Sequence, residues 1–364
     1  MPEHSGSPSI CPRPEMLHYM PPEWYRHEAT VLTWPHDASI WRGLHEQVEA
    51  TFVELASRLS AVETVYVNVP DAEWEARVLR LLRREGADMQ AIRPLLIPSN
   101  DVWARDHGPT VVFRRNDDGT SERVMLDWVF NAWGGKYSSS LDDAVPSRLE
   151  PVLGMPRVRP GLVMEGGALE VNGEGDLLTT ESVLLNPNRN PELTQQQIEE
   201  RLRESLGVRQ ILWLGDGLEG DDTDGHIDDI ARFTDDRTVV AVCPSDPEHP
   251  DYGAMAANLE RLRTYRTNRG VALRVVTLPS PEPVRWKDEH LPASYANFYI
   301  ANGCVFVPVF HQATDGEALS VLGDLFPDRD VIGIDCRALV SQYGALHCIT
   351  QQIPVSPRPT VAAP

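Results

Sequence analysis

Apolar residues recur along the chain in two alternating rhythms. Leu44, Val48, Phe52, Leu55 and Leu59 fall at spacings of four, four, three and four, which puts them on one face of a helix. A second helix opens at Thr194, with Gln197 as its capping-box partner. Ile198, Leu202 and Leu206 form its apolar face, and Gly207 stops it. Further helical stretches run near 254–266 and 316–326. Between them, short apolar or β-branched runs predict strands at 29–33, 64–69, 109–113, 123–130, 210–214, 238–242, 272–276, 298–309 and 331–334. Strands that alternate with helices predict an α/β architecture. No long linker interrupts the pattern and no self-similar period stands out. One domain is expected over 20–354, with flexible tails at 1–19 and 355–364.

Composition narrows the class. Of 364 residues, 41% are hydrophobic, enough to bury a sizeable core. No apolar run reaches the ~18 residues of a membrane span, and the polar, Pro-rich start shows no secretory signal. Lys and Arg number 33 against 54 Asp and Glu, a net charge of −21. Such a surface repels nucleic acid and anionic membranes and draws cations. Such acidity also simply keeps a protein soluble, so the charge permits a small cationic substrate without demonstrating one, and a homo-oligomer stays open. Five cysteines at 11, 243, 304, 336 and 348, with no CxxC pair, argue against a disulfide framework or zinc ribbon and fit a reducing cytoplasm.

The chemistry gathers around Cys348, in the run Tyr343-Gly344-Ala345-Leu346-His347-Cys348-Ile349-Thr350. A nucleophilic thiol needs a nearby base or cation to ionise it. Three other segments supply candidates: Trp103-Ala104-Arg105-Asp106, Met164-Glu165-Gly166-Gly167 and Asp222 through Asp228. His226 and Asp228 are two residues apart, so in an extended segment they share a face, one to move protons and one to hold a cation. The Trp103 ring can stack on a planar cation, and Asp106 can take two N–H donors in a fork. A thiol set among acids points to attack on a positively charged carbon, of which guanidinium is the common biological case.

Each motif alone admits a plainer role. Asp106 could cap a turn, Trp103 could fill core and Glu-Gly-Gly could mark a turn. Cys243, Cys304 and Cys336 read as small buried hydrophobes. The acidic stretch of Asp216, Asp221, Asp222, Asp224 and Asp229 reads as a solvated loop. It fails as a calcium loop, because the first and twelfth ligand positions would be Gly220 and Ala231. Zinc ligation by His226, Asp228, His347 and Cys348 is allowed by ligand type, but the spacing matches no standard zinc pattern.

In order, Met20-Pro21-Pro22-Glu23-Trp24, Asn100 through Pro109, Phe130 through Tyr137, Glu165-Gly166-Gly167, Asp222 through Asp229, Tyr295-Ala296-Asn297-Phe298-Tyr299 and His347 through Gln352 resemble the agmatine deiminase family, in the bacterial peptidylarginine deiminase-type branch of the guanidine-modifying superfamily. The resemblance implies a pentein-type β/α propeller of five ββαβ-like units around a pseudo-fivefold axis, with the active site in its central channel. It implies Cys348 as nucleophile, His226 as general acid/base and Asp106 and Asp228 as the grip on the guanidinium. Trp103, Glu165 and Asn297 would contact substrate, and no metal or organic cofactor is needed. The implied reaction converts agmatine and water to N-carbamoylputrescine and ammonia, a step toward putrescine. Peptidylarginine or another small guanidine is the alternative substrate, and an amidinotransferase would share nucleophile and fold. A non-catalytic propeller binding protein is the alternative of another class, and the intact Cys348, His226, Asp228 and Asp106 speak against it. One segment departs from the family's pattern: a glycine run ahead of the nucleophile is here Ser341-Gln342-Tyr343-Gly344-Ala345-Leu346.

Overall fold

The computed structural model describes residues 17–357; Cys11 and most of the two expected tails lie outside the described residues. Five of the sheets repeat one topology. In each, two antiparallel strands are followed by a helical connection and a third strand parallel to the second. The units are Thr110–Arg115, Ser121–Leu126 and Arg157–Val158; Glu170–Val171, Asp176–Thr180 and Gln210–Leu214; Ala231–Phe233, Thr238–Val242 and Arg274–Leu278; and Tyr299–Ala301, Cys304–Val309 and Asp330–Asp335. In the fifth, Thr350–Pro354 pairs antiparallel with His27–Thr33, which pairs in parallel with Thr64–Val69, so the two ends of the chain share a sheet. Parallel neighbours need a crossover, and helices Val145–Leu153, Gln195–Leu206, Tyr252–Thr264, Asp315–Leu325 and His45–Ser60 supply it.

The α/β pattern is what the hydrophobic rhythm predicts. Val48, Phe52, Leu55 and Leu59 are fully buried, and Thr194 makes the expected capping box with Gln197. The repeat leaves no period in the sequence, where five units were implied by the family resemblance alone. Equivalent strands differ in length (Arg157–Val158 has 2 residues, Asp330–Asp335 has 6), so topology repeats without a fixed period. The run expected as one strand over 298–309 is two: Asn302-Gly303 turns it into a hairpin, with Gly303 left-handed at φ 75°. Helix Ala72–Glu85 was not anticipated. Asp71 caps it and Gly86 closes it, but only Val78 and Leu82 are buried, too thin a stripe to read. The folded part also begins before residue 20, because His18 and Tyr19 pair with Arg114 and Phe113. Among the described residues no helix is long and apolar enough to cross a membrane.

Candidate active site

Each unit contributes one polar side chain from the turn that leads into its first strand. Asp106 lies on the short helix Ala104–His107, ahead of Thr110–Arg115. Glu165 precedes the turn Gly166–Ala168, Asp228 lies in the turn Ile227–Asp229, and Asn297 and Cys348 come just before Tyr299 and Thr350. Repeated topology therefore brings residues from across the chain to one place. Backbone contacts tie these turns together: Arg105 N donates to Cys348 O at 3.0 Å, and Gly167 N donates to Asp106 Oδ1 at 3.0 Å.

Cys348 is buried, yet its side chain lines a pocket. Asn297 holds it: Nδ2 donates to Sγ at 3.0 Å and to Asp229 Oδ1 at 2.9 Å, while Oδ1 accepts from His347 N at 2.9 Å. Asp228 Oδ2 is 3.9 Å from Sγ. Burial, then the charges of Asp228, Asp229 and Asp106, push the thiol well above its ordinary range, so the resting form is the thiol. Burial and the same crowding push Asp229 well above the carboxylate range.

His226 has both ring nitrogens without a hydrogen-bond partner, with Nδ1 3.7 Å from Asp106 Oδ1 and Nε2 3.9 Å from Glu165 Oε2. Burial opposes the imidazolium, but Asp106, Glu165 and Asp228 outweigh it and raise the pKa to about 9. The ring is thus a proton donor at neutral pH. Glu165 is steered by the buried Arg189, whose Nε donates to Oε1 at 2.7 Å. Asp106 accepts Trp133 Nε1 at 2.9 Å on Oδ2. Asp228 Oδ2 lies 2.6 Å from His347 Nδ1, whereas Oδ1 is buried without a partner. Burial works against Asp228 ionising, but His347, His226 and Arg232 hold its pKa below the usual range. Unpartnered oxygens on Asp228 and Glu165, beside a protonated imidazole, are the complement of a bound cation with several N–H donors.

Glycine is required at two points. A Cβ on Gly167 would sit 2.4 Å from His226 Nδ1 and 3.0 Å from Asp106 Oδ1. A Cβ on Gly344 would sit 2.3 Å from Trp103 Cζ3, so the Trp103 wall depends on that residue.

Behind the site stands a buried ion network. Glu23 Oε2 lies 2.6 Å from His347 Nε2 and 3.2 Å from Arg105, and Glu23 Oε1 is 2.9 Å from Arg232. Arg232 is also bound to Glu170 at 2.6 Å and is fully buried. These charges hold His347, and through it Asp228.

The structure brings Cys348, His226, Asp106, Asp228, Glu165 and Trp103 together. Asn297, expected to touch substrate, donates to the Cys348 sulfur at 3.0 Å. His347, weighed as a zinc ligand, has both nitrogens engaged by carboxylates; among the described residues the donors grouped closely enough for a metal are Asp228, Asp229 and Cys348. The acidic stretch is not simply solvated. Asp221 accepts from Thr223 N at 2.8 Å and His226 N at 3.1 Å, and Asp224 pairs with Arg189 at 2.7 Å and Lys136 at 3.0 Å. The carboxylates at 221 and 224 thus brace the His226 loop, because cations and amides from other segments reach them.

Trp133 and Glu23 were missed as site residues. The run Ala132–Gly135 is left-handed throughout, with Ala132 at φ 53° and Trp133 at φ 54°. Non-glycine residues there cost about 1–2 kcal/mol each. That conformation aims the Trp133 indole at Asp106. Only the Gly134-Gly135 pair behind it hinted at an unusual turn.

A sequence model of the Porphyromonas-type peptidyl-arginine deiminase family matches residues 19–354. A Shewanella sp. protein named "Putative agmatine deiminase" is 37% identical, covering 92% of this chain and 94% of its own. The solved agmatine deiminase of Enterococcus faecalis is 31% identical with a TM-score of 0.86, covering 94% of this chain and 97% of its own. A C. jejuni agmatine deiminase solved with substrate bound is 31% identical with a TM-score of 0.83, at the same coverage of 94% and 97%.

Proposed function

The chain belongs to the Porphyromonas-type peptidyl-arginine deiminase family, and on that premise we propose that it is an agmatine deiminase, hydrolysing agmatine to N-carbamoylputrescine and ammonia. The observation that carries the reading is the buried Cys348 thiol facing unpartnered carboxylate oxygens and a protonated His226. The pocket above favours agmatine over arginine: Asp101, Asp106 and Asp222 line it, and among the described residues no lysine or arginine does. A cationic amine tail suits that lining, and an α-carboxylate does not. The five repeated units support a pentein-type propeller with pseudo-fivefold symmetry, the expected 20–354 together with the paired His18 and Tyr19 forming one deiminase domain around the site. A working thiol suits the reducing cytoplasm.

Asp106 and Asp228 fix the guanidinium over Sγ, with its plane against Trp103 and Trp133. The bound positive charge offsets the carboxylates around Cys348 and favours thiolate, the thiol proton leaving to solvent. Sulfur then bonds to the central carbon. His226 gives its proton to the departing nitrogen, the C–N bond breaks and ammonia leaves a thiouronium adduct. His226, now neutral, takes a proton from water as the oxygen bonds to that carbon. The C–S bond breaks, the thiolate returns, and the protonated urea releases its extra proton to solvent. Asn297 keeps Sγ in line throughout. Incubation with agmatine, arginine and an arginyl peptide, read by a colour assay for ureido groups, tests the assignment. Agmatine is the substrate turned over fastest; turnover of the peptide alone would overturn it.

A further inference from the structure

At its exposed end the catalytic pocket is bordered by Tyr343, next to the Gly344 that packs on Trp103. Tyr343 is left-handed at φ 68°, a conformation glycine adopts freely and tyrosine rarely. Its hydroxyl donates to Glu289 and accepts from Arg42 Nη2 at 2.7 Å, while Arg42 Nη1 donates to Glu289 Oε2 at 2.6 Å. The Arg42 guanidinium also lies 5.3 Å from the Tyr343 ring centroid and 5.8 Å from that of Trp286. Arg42 is left-handed too, at φ 53°, and Glu289 and Trp286 come from a two-stranded hairpin that belongs to none of the five units. Three distant segments thus converge on one hydroxyl at the surface, where Glu289 is 45% exposed. Tyr343 and Trp286 also pack against the buried core, so the clasp fixes the pocket mouth to the body of the fold. A side chain at 344 would meet Trp103 at 2.3 Å, so the backbone beside Tyr343 runs close against the pocket wall.

We propose that the Arg42–Tyr343–Glu289 clasp determines specificity, admitting a guanidine on an unbranched chain and rejecting one attached to peptide backbone. A branch beside the amine would have to displace the Tyr343 ring. The proposal rests on the reading of this site as a guanidine deiminase, and the tests separate the two. Turnover of agmatine and of N-acetyl-arginine amide is measured in the wild type, Tyr343→Gly and Glu289→Gln. Affinities for both compounds are measured by calorimetry in the Cys348→Ser background, which needs no turnover. Tyr343→Gly should raise kcat/KM for the blocked arginine at least about tenfold and weaken agmatine mainly through KM. Glu289→Gln should move both the same way by less, and it carries the test if Tyr343→Gly does not fold. An unchanged ratio of the two compounds in both variants, in turnover and in affinity, overturns the gate. A wild type inert to every guanidine overturns the deiminase reading, and the calorimetry still decides the gate.

Discussion

Replacing Asp228 by Asn should move two observables in opposite directions. Its Oδ2 sits 3.9 Å from Cys348 Sγ and Oδ1 is without a partner. Asn keeps the shape and can still accept from His347, so the change is chiefly one of charge. A charge-assisted hydrogen bond is worth about 1.5–3 kcal/mol, so kcat/KM for agmatine should fall roughly 10- to 150-fold. The same charge disfavours the thiolate. Two unit charges 3.9 Å apart repel by about 4 kcal/mol at an effective dielectric of ~20 and about 1 kcal/mol in the water limit. Removing one should raise the thiolate population of the free protein by at least about fivefold, with a ceiling near a thousandfold. The assay is alkylation of Cys348 by neutral iodoacetamide, followed by intact mass, beside steady-state deimination. Faster alkylation with slower turnover is the predicted pair. Alkylation unchanged or slowed while turnover falls would refute the idea that Asp228 holds the resting thiol neutral.

The pH profiles should separate free from substrate-bound enzyme. With His226 near 9 and the thiol above it, the reactive thiolate–imidazolium form gains about tenfold per pH unit until about pH 9. kcat/KM should therefore rise up to about pH 9, while the acid limb of kcat lies lower because bound guanidinium favours thiolate; coincident limbs would contradict this. Gly167→Ala forces a methyl within 2.4 Å of His226 Nδ1, so activity should fall by at least about a hundredfold while Tm drops by only a few degrees. Asp221→Asn loosens the cap on the His226 loop and should lower kcat/KM about tenfold, whereas Asp216→Asn, at an exposed position, should stay within about twofold. Equal effects of those two would remove Asp221 from the supporting shell.

The candidate site residues were legible because chemistry marks them. A thiol beside a histidine and acids flanked by Gly, Trp or His stand out even without a fold. Supporting groups carry no such mark. Trp133 acts through a single indole N–H aimed by a left-handed backbone, and Glu23 works only because Arg105, Arg232 and His347 surround it from other units. Asp221 was misread for the converse reason. An Asp among Asps looks solvated until Thr223 and the His226 amide are seen on its oxygens. The shared topology of the five sheets left no sequence period for a similar reason, since it tolerates strands as unequal as Arg157–Val158 and Asp330–Asp335.

The proposed reaction turns on a covalent bond between Cys348 and the guanidinium carbon. Quenching the enzyme with acid during agmatine turnover and mapping its peptides by mass spectrometry tests it directly. An adduct equal to agmatine less ammonia, confined to the peptide carrying Cys348 and lost as substrate is exhausted, is the predicted result. Turnover with no adduct, or an adduct on Cys243, Cys304 or Cys336, would contradict it.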